Sequence, residues 1–307
     1  MIGVIPDAIT TKMSRSHPNA HFILFFGPCV VSLVAVFAYP VWATLQMSLY
    51  SDTIGAGAFF VGLSNYVALV GQEGFARLLV TSVIYTLGNV SVVWFLGLMI
   101  ALLLDNHFPG RAVVRAMFII PWAMPYVAAS LVFSLLFNFD VGVLNYLLSL
   151  VSGGRIAVDF LNACPNALIS LTGISIWKLL PLGIVMMLAA LQSIPASHYE
   201  AAKVDGATAL QSFWFITLPG VRSTTVMLTL LMMIWCFGRS FTAIYLLTGG
   251  GPAGCSETIV LRSYLEMFQM FRPGAAAALG VGVLVISMAC AGVYYWVVEG
   301  RRQADDK

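Results

Sequence analysis

Residues 194–219 read IPASHYEAAKVDGATALQSFWFITLP and lie between two strongly apolar stretches. The fixed blocks are Glu200-Ala201-Ala202, then Gly206 after three intervening residues, then Ile216-x-Leu218-Pro219 after nine more. Ser197-x-x-Glu200 has capping-box spacing, which predicts a helix starting just after Ser197. Gly206 follows about two turns later, where a left-handed closing residue is wanted and glycine adopts it at least cost. Thr208-x-x-Gln211 repeats the capping pattern and opens a second short helix, expected to end near Ile216. Pro219 then keeps that helix from running straight into the next apolar stretch. Ala201 and Ala202 leave one face of the first helix nearly flat, so a partner's backbone can approach closely. The plain alternative is an ordinary loop with two surface helices.

Composition sets the class around this hairpin. Of 307 residues 60% are hydrophobic and only 9% charged, and the mean hydropathy is +0.93. Both lie far from a soluble domain of this length. Six apolar stretches, near 22–49, 79–104, 113–138, 167–192, 221–247 and 276–298, are long enough to cross a bilayer. The expected fold class is therefore all-α, a polytopic membrane protein of six transmembrane helices. The first stretch, Phe22 to Tyr39 at its most apolar, exceeds a signal-peptide core and lacks a clear small-x-small cleavage site, so it is expected to stay as an anchor.

Basic residues orient the chain. With the N-terminus inside, nine of the fifteen lysines and arginines fall on inner segments, Lys203 and Arg222 among them. Four fall outside, Arg77, Arg155, Arg262 and Arg272, and Lys178 and Arg239 lie within spans. That asymmetry satisfies the positive-inside rule and predicts both termini and the hairpin on the cytoplasmic side. Cys164 and Cys255 both fall on the outer side, where a disulfide is possible. The five cysteines show no metal-type spacing.

The hairpin resembles the signature loop of permease subunits in ATP-binding-cassette importers. Further segments, in order, are similar to carbohydrate-type permeases of the maltose and glycerol-phosphate kind. They are Tyr39-Pro40 with Ser48-Leu49, Phe60-Val61-Gly62-Leu63-Ser64-Asn65-Tyr66, Gly142-Val143-Leu144-Asn145, Leu191-Gln192-Ser193-Ile194-Pro195 and Thr248-Gly249-Gly250-Gly251-Pro252. The likeness covers about residues 25–298 and fits the leaner six-span version of the family. It implies the type I importer transmembrane fold. Residues 1–21 would form a cytoplasmic tail, 22–49 the first transmembrane helix, 75–298 the transmembrane domain with its coupling loop at 194–219, and 299–307 a second cytoplasmic tail. It also implies a bacterial or archaeal inner-membrane location. The implied partners are a second permease in a heterodimer, two ATP-binding subunits and an extracytoplasmic solute-binding protein. No nucleic acid, cofactor or metal is implied. Glu200, Ala201, Ala202, Gly206, Ile216, Leu218 and Pro219 would couple to the ATPase, and the solute would be a sugar or sugar-like molecule, with sugar phosphates and glycerol phosphate in range.

The chain does not carry the motor itself. A phosphate-binding loop needs Gly-Lys before Ser or Thr, and none of the four lysines follows a glycine. No H-E-x-x-H or G-x-S-x-G occurs, so catalysis by this polypeptide is not expected. An ion-coupled secondary transporter of a small polar solute is the alternative. It usually needs an intramembrane acid or histidine, yet all thirteen acidic residues fall outside the six spans. A membrane enzyme or scaffold would show polar catalytic clusters or soluble domains, and neither is visible.

Lys178 lies about eleven residues into the fourth span, roughly 16 Å at the helical rise and close to mid-membrane. A cation there is costly unless it faces water or a partner. In one reading Lys178 bonds sugar hydroxyls while Trp177 stacks on a sugar ring. In the other, Lys178 pairs with a carboxylate of another subunit or with carbonyls freed by Pro181. Arg239 lies nearer the outer end of the fifth span, either on the same path or snorkelling to the interface. Pro121 and Pro125 are expected to kink the third span.

Overall fold

The computed structural model describes residues 18–51, 59–239 and 241–305, with side chains from 26 onward except at 239, 294 and 297–305. In chain order the helices are α1 (Pro18–Leu33), α2 (Tyr39–Ser48), α3 (Ser64–Val70), α4 (Phe75–Asp105), α5 (Arg111–Ala123), α6 (Tyr126–Leu136), α7 (Val143–Ser152) and α8 (Asn166–Gln192). They continue with α9 (Ala196–Val204), α10 (Ala209–Ser212), α11 (Leu218–Gly220), α12 (Arg222–Arg239), α13 (Phe241–Leu247), α14 (Ile259–Phe268) and α15 (Pro273–Asp305). Short π-helical turns at Val34–Ala38 and Phe213–Thr217 join α1 to α2 and α10 to α11. Among the described residues the only β pairing is an isolated bridge, Tyr50 with Phe60. The protein is thus an all-α membrane protein.

The chain divides between Gln46 and Met47 into two units. The described residues of the first unit are helical, and the apolar run that starts there, Phe26–Ser48, is 23 residues long, enough to span a bilayer. Ser32 Oγ donates to Pro28 O and Thr44 Oγ1 to Pro40 O, each at 2.8 Å. These hydroxyls are satisfied by the helix's own carbonyls, as lipid contact requires.

In the second unit α4 and α8 run in the same direction and form the centre. A β-carbon on Gly97 would come within 3.0 Å of the Gly183 carbonyl carbon, and one on Gly183 within 2.8 Å of Val93 Cγ1. Small residues let two backbones approach where lipid provides no hydrophobic driving force between helices. Around that contact Val93, Leu98, Leu171, Met187, Leu228 and Met232 are buried. Trp94 Nε1 donates to Thr225 Oγ1 at 3.1 Å and ties α12 to α4. A smaller cluster of Leu69, Leu78, Ile259, Ala275 and Leu279 joins α3, α4, α14 and α15.

The loop before α8 and the loop after α13 are joined by a Cys164–Cys255 disulfide, across a sequence separation of 91. On α14, Glu266 is fully buried and receives Arg262 at 2.8 Å and Arg272 at 3.5 Å. Arg262 also reaches Glu257 at 3.4 Å. Arg262 and Arg272 are therefore part of a built ionic cluster rather than free loop charges.

Four single long helices are apolar enough to span, Phe26–Ser48, Phe75–Asp105, Asn166–Gln192 and Pro273–Val293. The number rises to six only if each of two bent pairs counts as one span, α5 with α6 and the 209–220 arm with α12. The third predicted span, 113–138, is α5 and α6 meeting at 96°. Pro125 holds Met124 extended (φ −70°, ψ 137°) and thereby ends α5. The fifth predicted span is α12 followed by α13, with Ser240 between them outside the described residues.

Candidate functional site: the α9–α11 hairpin and the Lys178 clamp

The hairpin's first helix departs from its expected start. α9 begins at Ala196 with Pro195 in the N-cap position (φ −60°, ψ 132°), and no side chain caps it. Proline after Ile194 breaks α8's path and leaves Ser197 already inside the first turn, so the Ser197–Glu200 box does not form. The C-terminal end matches expectation. Gly206 is left-handed at φ +78°, Ala207 N donates to Ala202 O at 2.8 Å and Gly206 N to Lys203 O at 3.3 Å. That pair of bonds is a Schellman closure, which satisfies carbonyls the helix would leave orphaned.

The second capping box is complete. Thr208 N donates to Gln211 Oε1 at 2.7 Å, and Gln211 N donates to Thr208 Oγ1 at 3.3 Å. The second helix does not end near Ile216. It passes through the π-helical turn and Pro219 to Gly220, then bends by 60° at Val221 into α12. Pro219 lies just after the π-helical turn and two residues before the bend at Val221.

Two contacts make the arms one body. Tyr199 OH and Thr217 Oγ1 are 3.0 Å apart. A β-carbon on Gly220 would lie 2.5 Å from Ile194 Cδ1, so the arms also meet where they join α8 and α12. Between them lies a groove of about 630 Å³. Ala201, Ala202, Ile216 and Pro219 line it together with His198, Asp205 and Phe215. Glu200 is exposed outside this groove, Gly206 forms the turn, and Leu218 faces inward against the main core. Val204 at 88% and Phe215 at 78% exposure, with Leu210 and Trp214, leave large apolar side chains exposed on the hairpin. Sequence reasoning missed Tyr199, Thr217 and Ile194. Thr217 occupies the variable position of Ile216-x-Leu218-Pro219, and nothing in that spacing points to it.

Lys178 is 3% exposed on α8. Its Nζ donates to Pro121 O at 3.1 Å, to Trp122 O at 3.4 Å and to Met124 O, and it lies 4.6 Å from the Tyr126 ring centre. The carbonyls it serves are those left open at the α5–α6 break, not ones freed by Pro181. An ammonium has three N–H donors, and all three find partners here. Lys178 also borders a cavity of about 320 Å³ lined by Tyr85, Trp122, Tyr126 and Trp235. Trp177 is not in that lining and meets Phe133 edge-on at 5.2 Å. The side chain of Arg239 lies outside the described residues. Among the described residues no cluster of metal-type ligands occurs.

This combination defines a multi-pass helical membrane protein. Residues 94–303 match the family model described as binding-protein-dependent transport system inner membrane component, and the chain belongs to that family. It is 31% identical over 295 residues to the trehalose/maltose transport system permease protein MalF of Thermococcus litoralis, covering 96% of this chain and 98% of that one. It is 31% identical over 279 residues to the sn-glycerol-3-phosphate transport system permease protein UgpA of Agrobacterium fabrum, covering 91% and 94%. Its fold matches a chain of the crystal structure of a bacterial alginate ABC transporter in complex with alginate pentasaccharide-bound periplasmic protein. That match has a TM-score of 0.78 and 21% identity, over 90% of this chain and 93% of the other.

Proposed function

We propose that this chain is one of two permease subunits of an ATP-driven importer for a sugar or sugar-like solute, with 75–298 as its transmembrane domain. The relatives' names, trehalose/maltose and sn-glycerol-3-phosphate permeases, support a carbohydrate or polyol-phosphate solute. The observation that carries the coupling half of the reading is the groove between α9 and α11, on a hairpin that exposes Val204, Leu210, Trp214 and Phe215. In this reading the groove and the 194–219 hairpin seat in one of two separate ATPase subunits, and a solute-binding protein delivers from the opposite face.

Orientation has two independent supports, the distribution of basic residues and the disulfide. Cys164 precedes α8 and the hairpin follows it. The helix has 27 residues, about 40 Å at the helical rise. A disulfide persists on the oxidising side of a membrane, so the hairpin and both tails, 1–21 and 299–307, are assigned to the cytoplasm. Closure of the ATPase dimer would move the hairpin as one body and pull on α8 and α12 together. The solute path is assigned to the aromatic-lined cavity beside the α5–α6 break, with Lys178 positioning the break rather than bonding solute hydroxyls.

The test is co-expression with the cognate second permease and ATPase subunits, measuring ATPase co-purification and solute uptake. Attachment should need the hairpin, and uptake should need all subunits. Uptake by this chain purified alone into liposomes would overturn the reading in favour of secondary transport.

A further inference from the structure

Two cavities outside the hairpin groove share two lining residues. The first is a surface groove of about 920 Å³ where α4 ends and α5 begins, bordered by His107, Arg111 and Arg115. The second, about 280 Å³, is an apolar cleft between α5 and α8 bordered by Phe118, Val185 and Leu188. Arg115 and Ile119 line both. The two spaces adjoin across these side chains, the first bordered by basic residues and the second mainly apolar.

The arginines are held in place without being neutralised. Arg111 Nη1 donates to the carbonyls of Asp105 at 3.3 Å and Asn106 at 3.5 Å, and Arg115 Nη2 to that of Leu104 at 3.1 Å. Asp105 therefore contributes its carbonyl, not its carboxylate, to Arg111. Among the described residues neither guanidinium is paired with a carboxylate within 4.0 Å, and Arg115 Nε is shielded from solvent without a partner. Gly110, left-handed at φ +84°, makes the turn into α5 and also borders this groove. α4 has 31 residues, about 46 Å, which exceeds the roughly 30 Å hydrocarbon thickness. At that length the ends of a spanning α4 reach the headgroup zone, and the arginines are anchored at one of those ends.

We infer that these two adjoining spaces together form a binding site for one anionic phospholipid. The phosphate is held by Arg111 and Arg115, and an acyl chain lies along the Ile119–Val185–Leu188 cleft. Charge complementarity selects an anionic headgroup, since a basic pocket between transmembrane helices in the headgroup zone attracts acidic lipids. The apolar cleft selects a lipid over a free phosphate, which would leave it empty. The proposed orientation enters only in naming the cytoplasmic leaflet as the source.

The test uses the assembled transporter in detergent, stripped of endogenous lipid and offered phosphatidylglycerol or phosphatidylcholine of the same chain length. Retained lipid is read by native mass spectrometry, without reference to transport. The wild type should retain phosphatidylglycerol in preference to phosphatidylcholine by roughly ten-fold or more. Arg111→Gln combined with Arg115→Gln should bring the two lipids to parity. Val185→Trp, which fills the cleft and spares both arginines, should lower retention of either lipid; if the arginine variant fails to assemble, this variant decides. Equal retention of both lipids by the wild type would overturn the inference. Retention unchanged in Val185→Trp, or displacement of the lipid by excess inorganic phosphate, would do the same, the last by marking a free-phosphate site.

Discussion

Lys178 Nζ on α8 donates to the carbonyl of Pro121 on α5 at 3.1 Å, across 57 residues of chain. This bond and its companions to Trp122 and Met124 close the open end of a broken transmembrane helix with a single buried charge. Bonds from a charged donor contribute about 1.5–3 kcal/mol each, and unbonded carbonyls at this depth are expensive. The clamp therefore fixes the geometry of the break.

Replacing that clamp gives the first prediction. Lys178→Met should leave subunit assembly intact and reduce uptake by about ten-fold, because the break loses its fixed angle; bonds of this size comfortably exceed the ~1.4 kcal/mol that such a factor requires. Lys178→Arg retains the charge, but its planar fork cannot point three donors at the same three carbonyls, so it should transport at an intermediate rate. Parental uptake by Lys178→Met would remove the positioning role.

Gly206 supplies a second prediction with a built-in control. A β-carbon at φ +78° is strained, by about 1–2 kcal/mol, and the strain falls on the hairpin turn. Gly206→Val should weaken ATPase co-purification while membrane levels stay normal. Gly74, at φ +96° before α4 and equally open to a β-carbon, carries a comparable backbone penalty far from the hairpin. Gly74→Val should keep the ATPase attached. Equal behaviour of the two variants would mean that general strain, not hairpin geometry, is being measured.

Tyr199 and Thr217 allow attachment to be separated from coupling. Tyr199→Phe deletes one hydroxyl bond, about 1 kcal/mol, and leaves the groove lining unchanged. The ATPase should still co-purify, while solute imported per ATP hydrolysed falls. A double-mutant cycle with Thr217→Val should show non-additivity of about 0.5–1.5 kcal/mol in hairpin stability. Full additivity would show that the two arms are not joined through this bond.

The disulfide tests orientation. After mild reduction, a membrane-impermeant maleimide added outside intact cells should label Cys164 and Cys255. A cysteine placed at Lys203 should react only after the membrane is opened. External labelling at 203 would invert the assignment and detach the hairpin from any cytoplasmic ATPase.

The spans and the hairpin blocks were legible because each depends on local pattern: an apolar run of fixed length, a left-handed glycine, a Thr208-x-x-Gln211 box. Ser197 misled because Pro195, two residues earlier, competes for the same helix start and wins. The partners of Lys178 were not legible. They lie 54 to 57 residues away, on carbonyls exposed only because Pro125 breaks the helix at 96° rather than gently kinking it. The disulfide pairing stayed open for the same reason, since its two loops meet only in the folded chain. Tyr199 and Thr217 find each other through the hairpin's own closure, which spacing does not encode.

The contact of Gly97 with Gly183 has a mechanical corollary. Two backbones pressed this close have no side chain to re-rotamerise, so α4 and α8 cannot slide or roll past each other without a collision at Val93. They form a stiff axle. Any change between inward- and outward-facing shapes must then be taken up where the chain is jointed, at Met124–Pro125 and at Val221. A bulkier residue at Gly183, such as leucine, would not merely slow the cycle. It would pry the axle apart, and both joints would lose the fixed frame they turn against.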